Sequence, residues 1–391
     1  MICVGIDVSK DKHNCFITNS EGEFLCGDFT FDNSAAGFNK LYETIKTFES
    51  DPTSENTITG LEATGHYSNN LIRFLDSVKL YPIVFNPLQT NLFRKGQTLR
   101  KTKTDKVDAR FIAKMLATGD FSPHTSPSYH VSELKWLTRH RSRFIKQQSA
   151  LKVSYSRLLT MLFPELEENV NIGLKSILAM LLELPTAPAI ASCHLTRLKN
   201  ILSENSKGRF GRNKAVEIRE LASESVGDDS PALALELRQT IRMILVLQDE
   251  IDIIESEIKS LVIRTDTPIL SIPGIGFRLA AIIIAEIGDI GRFESPDKLQ
   301  AYAGLDSSCF QSGKFSSSQD KMVKRGSTYL RWALLLASRR CSSYDKLFAD
   351  VLNRKLAEGK HYNVAVSHVA KKLIRVIYHL MITGEPYLAQ V

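Results

Sequence analysis

Short apolar segments alternate with polar turns through the first 120 residues, and this alternation constrains the fold more than any other feature of the chain. The first three segments lie close together, with the polar turn 19–22 before the third, and so predict a meander of strands. Apolar residues at helical spacing, from Phe38 to Phe48, predict that a helix follows. In chain order the predicted strands are 2–7, 13–18, 23–31, 57–62 and 80–85, and the later predicted helices are 67–78 and one that begins near Thr104.

The order of these elements predicts an α/β domain. A meander followed by βα units gives a mixed sheet with helices packed on it, and this order is that of the RNase H fold. From Ser132 onward the apolar residues follow helical spacing instead. The predicted fold class is therefore α/β plus α, in which an RNase H-like mixed-sheet domain is followed by long coiled-coil helices and a helical C-terminal domain.

Four acidic residues fall at places where such a fold would bring them together. Asp7 ends the first strand and Glu62 ends a later strand that we expect to be its neighbour, while Asp105 and Asp108 share one face at a helix start. Converging carboxylates suit hard divalent cations, which support phosphoryl transfer. Taken singly, each acid is more often structural, as a turn residue or at a helix N-terminus. Taken together, they predict a metal site.

A basic stretch surrounds two of these acids. Between Arg94 and Lys114 there are eight basic residues and two acids, and the whole chain carries a net charge of +7. Cations placed so densely around isolated carboxylates indicate contacts with a nucleic-acid backbone. The residues that we assign to this contact are Arg94, Lys95, Arg100, Lys101, Lys103, Lys106 and Arg110.

Two long segments carry heptad repeats. The first has an apolar seam from Leu137 to Leu158, with Arg141 and Gln148 interrupting its second seam, and the second runs from 237 to 261. Several heptads at this period favour a coiled coil, formed within one chain or between protomers. Between the two segments, 166–230 is predicted to be a small, mostly helical insert.

The last part of the chain holds two weaker signals. Gly274 and Gly276 lie in Pro-Gly-Ile-Gly before an apolar helix, which suits either a helix-hairpin-helix loop that binds a DNA phosphate or a simple tight turn. A Ser-rich stretch at 307–318 could supply a nucleophile, but its composition does not choose among the serines and also fits a flexible loop. The cations that we assign here to nucleic acid are Lys314, Lys324, Arg325 and Arg331.

Several classes of protein are disfavoured. The six cysteines form no C-x-x-C pair, which argues against a zinc ribbon, and their scatter suits a reducing cytosol. No apolar run approaches 18 residues, and the first residues do not have the pattern of a signal peptide. We therefore expect no membrane partner and a cytoplasmic location, of bacterial type and with action at the nucleoid.

Ordered motifs at both ends of the chain resemble a known family. Gly5-Ile-Asp7-Val-Ser-Lys10, Leu61-Glu62-Ala-Thr-Gly65, Asn86-Pro87 and 103–110 resemble the DEDD transposases of the insertion-sequence-110 family, to which Piv-type DNA invertases are related. Residues 271–276, Ala303-Gly304-Leu305, Ser312-Gly313 and Lys324-Arg-Gly326 resemble the second domain of that family. The resemblance covers roughly 1–125 and 265–385.

The resemblance implies a site and a mechanism. The family's RuvC-like acids map to Asp7, Glu62, Asp105 and Asp108, which would bind Mg²⁺ or Mn²⁺, and its catalytic serine maps to Ser312. That serine would attack the DNA phosphate, and strand exchange through a Holliday-type junction would follow. The resemblance also implies a bridge RNA that pairs with donor and target DNA, and a homotetramer in which the acids of one protomer act with the serine of another.

The resemblance also implies a division into domains. We expect a RuvC-like nuclease domain at 1–128, coiled-coil helices with the insert at 129–265, and a transposase domain carrying the serine at 266–391. Three alternatives remain open. They are a junction-resolving endonuclease that uses the four acids with water, a nucleic-acid-binding scaffold without catalysis, and a Piv-like invertase that needs no guide RNA.

Overall fold

The chain folds into two compact units, Met1–Ser126 and Pro127–Val391. The computed structural model describes residues 1–62, 65–97, 105–119, 129–306, 311–312, 315–316 and 322–389. Within these ranges, ten side chains lie outside the described part, namely those of Asp28, Leu88, Asp105, Lys106, Tyr129, His130, Gln311, Ser312, Phe315 and Ser316. The finer division into three domains stays a prediction.

In its described residues, the first unit is a mixed sheet with four helices. Its strands are β1 (Ile2–Val8), β2 (Lys12–Asn19), β3 (Phe24–Asp32), β4 (Thr57–Glu62) and β5 (Ile83–Phe85), and its helices are α1 (Ala35–Lys46), α2 (Asn69–Ser77), α3 (Pro87–Gln97) and α4 (Asp105–Thr118). The strand order is β3-β2-β1-β4-β5. β1 is antiparallel to β2 and parallel to β4, and β4 is parallel to β5. The predicted mixed sheet and its meander are therefore confirmed.

Two details of the sequence prediction were wrong. The strand predicted at 80–85 begins only at Ile83, and Pro82, which lacks an N–H for a strand ladder, lies just before it. No helix was predicted between the strand at 80–85 and the helix that begins near Thr104, but residues 87–97 form α3. Pro87 starts this helix, where its missing N–H costs nothing, and the N–H groups of Gln89 and Thr90 donate to the carbonyl of Asn86.

Helix α4 packs directly on the middle of the sheet because the residues at the contact are small. A Cβ added at Gly5 in β1 would lie 2.3 Å from the carbonyl oxygen of Ala109 and 2.3 Å from the amide nitrogen of Ala113. Ala109 and Ala113 are fully buried. This close approach brings the start of α4 to the edge at which β1 and β4 end.

The second unit is helical. Its helices are α5 (Tyr129–Leu162), α6 (Pro164–Asn169), α7 (Lys175–Glu183), α8 (Ala187–Ala191), α9 (Leu195–Glu204), α10 (Arg212–Ser223), α11 (Pro231–Arg264), α12 (Phe277–Ile287), α13 (Pro296–Tyr302), α14 (Thr328–Tyr344), α15 (Lys346–Ala357) and α16 (Tyr362–Thr383). Short 3₁₀ segments lie at Pro268–Ser271 and Ile290–Arg292, and strands β6 (Gln311–Ser312) and β7 (Phe315–Ser316) form a hairpin. None of the helices that the structure describes is long and apolar enough to cross a membrane.

Helices α5 and α11 are the two heptad segments, and they pair within the chain as an antiparallel hairpin. Arg141 meets Glu255 at 2.6 Å and, further along α5, Arg157 meets Glu236 at 2.7 Å, so the residue number falls on one helix as it rises on the other. Gln148, which interrupts the apolar seam, donates to the Oε1 of Gln248 at 3.0 Å. The polar interruptions are therefore matched across the pair, which fixes its register.

The segment between α5 and α11 is helical, as predicted. Helices α6 to α10 bury their own apolar core against the end of α5 and the start of α11, with Leu162, Ile177 and Leu237 fully buried. At the other end of the hairpin, α12 to α16 enclose a second core against the start of α5 and the end of α11.

Candidate active site

The carboxylates of Asp7 and Glu62 lie side by side at the sheet edge. Ile6 pairs with Leu61 in the parallel register of β1 and β4, so the next residue on each strand is an acid. Asp108 on α4 lines the same cavity of about 370 Å³. The other lining residues are Val8, Ser9, Pro87, Thr90, Asn91, Arg94, Phe111 and Ile112. Three of the four predicted acids are thus brought together.

Two residues of α3 contact these acids. The hydroxyl of Thr90 donates to the Oε2 of Glu62 at 2.5 Å. The Nη1 of Arg94 donates to the Oδ1 of Asp108 at 3.1 Å, and the exposed fractions of these two side chains are 24% and 20%. Arg94 therefore neutralises one carboxylate at the cavity. Sequence reasoning placed Arg94 on a nucleic-acid backbone and missed Thr90 and Asn91, although the positions 87, 90, 91 and 94 share one helix face.

The donor chemistry of this cavity fits a divalent cation. Carboxylate oxygens are the ligands that Mg²⁺ and Mn²⁺ prefer, and three of them face one cavity with a single arginine. As these side chains are placed, however, no three ligand groups of the described residues are close enough together to hold an ion, so the fit is one of donor type and not of distance. The side chain of Asp105, at the first residue of α4, lies outside the described part.

The predicted nucleic-acid contacts of the first unit have different surroundings. Lys95 on α3 and Arg110 on α4 are exposed, and the Arg110 guanidinium lies 5.6 Å from the centre of the Phe16 ring. Arg100, Lys101, Lys103 and the side chain of Lys106 lie outside the described residues. The described cations are therefore divided between one that binds a site carboxylate and two that face solvent.

Ser312 lies on the β6–β7 hairpin. Its backbone pairs with that of Phe315, and the N–H of Val323 donates to the carbonyl of Asp306 at the base of the segment. The side chain of Ser312 and the whole of Lys314 lie outside the described residues. The hairpin is thus placed, and the role of its serine stays a prediction.

The cations that follow the hairpin differ in whether their side chains already bind other groups of the protein. The Nη1 of Arg331 donates to the carbonyl oxygen of Lys324 at 3.0 Å and contacts that of Ala303 at 3.5 Å, so this guanidinium holds backbone together. Lys324 and Arg325 are exposed, and Lys324 has a positive φ of 43°. Arg331 is therefore the least available of the three for a ligand.

A buried acid beside this segment was missed by sequence reasoning. Glu286 on α12 is 1% exposed and accepts hydrogen bonds from the Nε of Arg139 at 2.8 Å and from the hydroxyl of Ser327 at 2.8 Å. Burial raises the pKa of the Glu286 carboxyl. The hydrogen bond and charge of Arg139, together with the hydrogen bond from Ser327, lower it by more than burial raises it, so that its pKa lies below the usual value. The signal in the sequence was a single acid inside an apolar helix.

Gly274 and Gly276 occupy a tight turn before α12. The N–H of Ile275 donates to the carbonyl of Ile272 at 3.1 Å, with Pro273 and Gly274 in the middle of the turn. Gly274 has a φ of +90°, and a Cβ there would lie 2.9 Å from the backbone of Arg340, so the position requires glycine. Gly276 begins α12 without a side-chain cap. Phosphate binding at this turn stays a prediction.

Two family models match the chain. The DEDD transposase domain of the IS110 family matches residues 4–164. A transposase domain described for the IS116/IS110/IS902 family matches residues 266–353. The whole of α11 lies between the two matched ranges, as does the insert of α6–α10 apart from its first residue.

Similar proteins extend over nearly the whole chain. An uncharacterised 44.8 kDa protein of insertion element IS116 from Streptomyces clavuligerus is 26% identical, over 97% of this chain and 94% of its own length. A pilin gene-inverting protein from Moraxella lacunata is 23% identical, over 98% of this chain and 97% of its own length. A mini-circle putative transposase for IS117 from Streptomyces coelicolor is 23% identical, over 98% and 94%.

The strand order and the carboxylate-lined cavity at the ends of β1 and β4 are consistent with an RNase H-like enzyme domain that acts on nucleic acid. Together with the family matches, they define a DNA recombination enzyme whose substrates are DNA. The chain belongs to the IS110 family of transposases.

Proposed function

We propose that this protein is an RNA-guided recombinase that excises and inserts its own element by serine attack on DNA, with a divalent metal ion held by carboxylates. The observation that carries the proposal is the convergence of Asp7, Glu62 and Asp108 on one cavity. The position of Asp105 at the start of α4, three residues before Asp108, supports its inclusion.

The metal site would be built by these carboxylates. Asp7, Glu62 and Asp108, with Asp105, are the residues that would hold Mg²⁺ or Mn²⁺. A bound ion would neutralise charge on the phosphate and stabilise the leaving oxygen. In the described structure Arg94 binds Asp108 and Thr90 binds Glu62, so these two side chains hold the carboxylates at the cavity.

The nucleophile in this proposal is Ser312. Its Oγ forms a bond to the scissile phosphorus as the bond from phosphorus to a sugar oxygen breaks, and the serine proton leaves for the released oxygen through solvent. The product is a phosphoserine diester and a free sugar hydroxyl. Attack by a sugar hydroxyl of another strand reverses the exchange of bonds, so that rejoining needs no external energy source. The position of Ser312 on a short hairpin supports this assignment.

We propose further that a bridge RNA pairs with donor and target DNA, and that the active assembly is a homotetramer. Both proposals rest on membership of the family. The exposed cations Lys95 and Arg110 of the first unit, with Lys324 and Arg325 of the second, supply positive charge for the nucleic-acid backbones.

The experiment that tests the chemistry is covalent trapping. The protein is co-expressed with the non-coding DNA that flanks its element, then mixed with Mg²⁺ and labelled junction-spanning DNA. We expect an adduct that resists denaturant, requires metal and disappears in Ser312→Ala. Nicking that depends on metal but leaves no adduct would contradict the serine and would indicate a nuclease that uses water.

A second candidate is a site-specific invertase that needs no guide. Similarity to pilin gene-inverting proteins over 98% of the chain favours it. RNA that co-purifies with the protein, and whose removal abolishes recombination, would support the guided enzyme. Recombination of defined sites by RNA-free protein would support the invertase.

A further inference from the structure

A groove of about 1240 Å³ lies in the second unit. Its walls are α11, the turn before α12 with the first turns of that helix, and one face of α14. Its volume exceeds that of a typical small-molecule pocket. A groove of this size on a DNA recombination enzyme calls for an extended ligand.

The wall formed by α14 carries a stripe of four residues, each four positions after the one before: Trp332, Leu336, Arg340 and Tyr344. We call it the α14 stripe. Trp332 is 54% exposed and Tyr344 is 66% exposed, whereas the opposite face of α14 is buried in the core. The stripe spans about 18 Å along the helix axis. Two large aromatic rings are thus presented to solvent in one groove, without a partner in the described structure.

The charge of the groove is positive. Glu255 is paired with both Arg141 and Arg278, and Asp252 accepts a hydrogen bond from Gln248 at 2.8 Å. Arg340 and Lys259 form no ion pair with any residue that the structure describes, and both are exposed. The Nζ of Lys259 lies 5.4 Å from the centre of the Phe277 ring. The groove therefore offers two cations without an acidic partner among the described residues, Arg340 between the two aromatic rings on α14 and Lys259 on the α11 wall.

We propose that this groove binds single-stranded DNA, with bases stacked on Trp332 and Tyr344 and phosphates at Arg340 and Lys259. Stacking platforms combined with free cations are how proteins bind unpaired strands without regard to sequence. A protein occupant would have to supply acids at Arg340 and Lys259, whereas a DNA strand brings a phosphate with every base. The proposal rests on the proposed function, because strand exchange releases unpaired DNA that must be held.

The first test is binding of labelled oligo(dT) to the full chain in EDTA, followed by fluorescence anisotropy. We expect Trp332→Ala to weaken binding by about 5- to 150-fold, the range for loss of one stacked base. Trp136→Ala is the matched control, since Trp136 on α5 is 56% exposed and lies outside the groove. Trp332→Phe should retain most of the affinity. Arg340→Gln should reduce the slope of log affinity against log salt by about 0.7.

The second test measures the fluorescence of a tryptophan in the groove itself. The chain has two tryptophans, so Trp136→Phe leaves Trp332 as the sole indole. We expect oligo(dT) to quench its emission, and Tyr344→Ala to shift the quenching to higher DNA concentration.

Four results would overturn the proposal: no quenching of Trp332, equal effects of Trp332→Ala and Trp136→Ala, equal binding of duplex DNA, or tighter binding of oligo(U). Self-association that is lost in Trp332→Ala while oligo(dT) binding is unchanged would show an interface between copies instead. Because metal is absent and no bond is cleaved, failure of the serine chemistry would leave these results unaffected.

Discussion

The most informative single contact is the ion pair between Arg94 and Asp108. The Nη1 of Arg94 lies 3.1 Å from the Oδ1 of Asp108, and the Asp108 side chain is about one-fifth exposed. An arginine on a predicted metal ligand competes with the cation for the same oxygen. Arg94, which the sequence analysis assigned to nucleic-acid contact, therefore also pairs with an acid of the cavity. That role depends on Asp108, 14 residues away in the sequence.

We predict that Arg94→Gln binds Mn²⁺ more tightly than the wild type, by up to about fivefold, because a partly exposed pair of this kind contributes up to about 1 kcal/mol. Isothermal titration of the full chain in the absence of DNA measures this affinity. Lys95→Gln is the control, since it removes the same charge from the same helix without touching an acid of the cavity. Weaker Mn²⁺ binding in Arg94→Gln alone would show that the arginine supports the site.

The buried carboxylate of Glu286 makes a second prediction at this scale. Its pKa lies below the usual value when folded, so its contribution to stability is present above about pH 4.3, the ordinary value for glutamate, and is lost as the pH falls through the folded pKa. We expect Glu286→Gln to cost about 1.5–3 kcal/mol at neutral pH, as for a hydrogen bond to a charged group.

The measurement is thermal unfolding of both proteins from pH 7 downward. The gap in Tm between the wild type and Glu286→Gln should narrow as the pH falls below about 4.3. Glu358→Gln is the comparison: Lys355 also lowers the pKa of Glu358, but this pair lies at the surface. The difference in Tm between the wild type and Glu358→Gln should be smaller than that for Glu286→Gln. A gap for Glu286→Gln that does not change with pH would mean that shape rather than charge is lost.

Among the elements, α4 decides where the acids meet, because it lies against β1 at Gly5. A Cβ at that position would come within 2.3 Å of the backbone of α4, and no flexible side chain is there to move aside. The helix would have to shift, and Asp108 would shift with it.

We predict that Gly5→Ala lowers the free energy of unfolding by about 1–3 kcal/mol or more through overpacking, and reduces activity beyond the effect on stability. Chemical denaturation and recombination assays measure the two effects. Gly96→Ala on α3 is the control, because a Cβ there meets open space and alanine favours a helix. Wild-type activity and stability in Gly5→Ala would show that α4 does not lie as close to the sheet as described.

The sequence predicted most elements because apolar periodicity reports burial, which is why the meander, β4 and both heptad helices were found. It missed α3, a mostly polar helix that starts at Pro87 and whose Thr90 and Arg94 contact acids far away in the sequence. It placed Asp7 and Glu62 at one edge from strand order alone. Arg94, Thr90 and Glu286 escaped because their roles arise from partners distant in sequence. Ser312 could be chosen among neighbouring serines only through the family resemblance.

At the scale of the whole molecule, α11 and the insert lie between the two matched domains. The first unit holds three described site acids, and the second holds the hairpin with Ser312. The proposed chemistry therefore requires both units, and the proposed tetramer assigns them to different protomers.

We predict that Asp7→Asn and Ser312→Ala proteins, each inactive alone, recover part of the recombination activity when mixed before assembly. A site that takes its acids from one protomer and its serine from another is intact in some mixed tetramers. Recovery is measured by product formed at constant total protein, with the Asp7→Asn/Ser312→Ala double variant mixed with wild type as the control for dilution. No recovery from mixed assemblies would place the acids and serine of each site in one protomer.

Helices α5 and α11 are each 34 residues long and pair in antiparallel fashion, and this pairing restricts how the hairpin can change length between related proteins. The pair holds the insert about 50 Å from the opposite end of the hairpin, at 1.5 Å per residue. Removing one heptad from α5 alone would separate Gln148 from Gln248, or Arg141 from Glu255, or both. The two helices can therefore gain or lose heptads only together. A relative with a longer or shorter hairpin must carry matched insertions or deletions in both helices, more than 60 residues apart in its sequence.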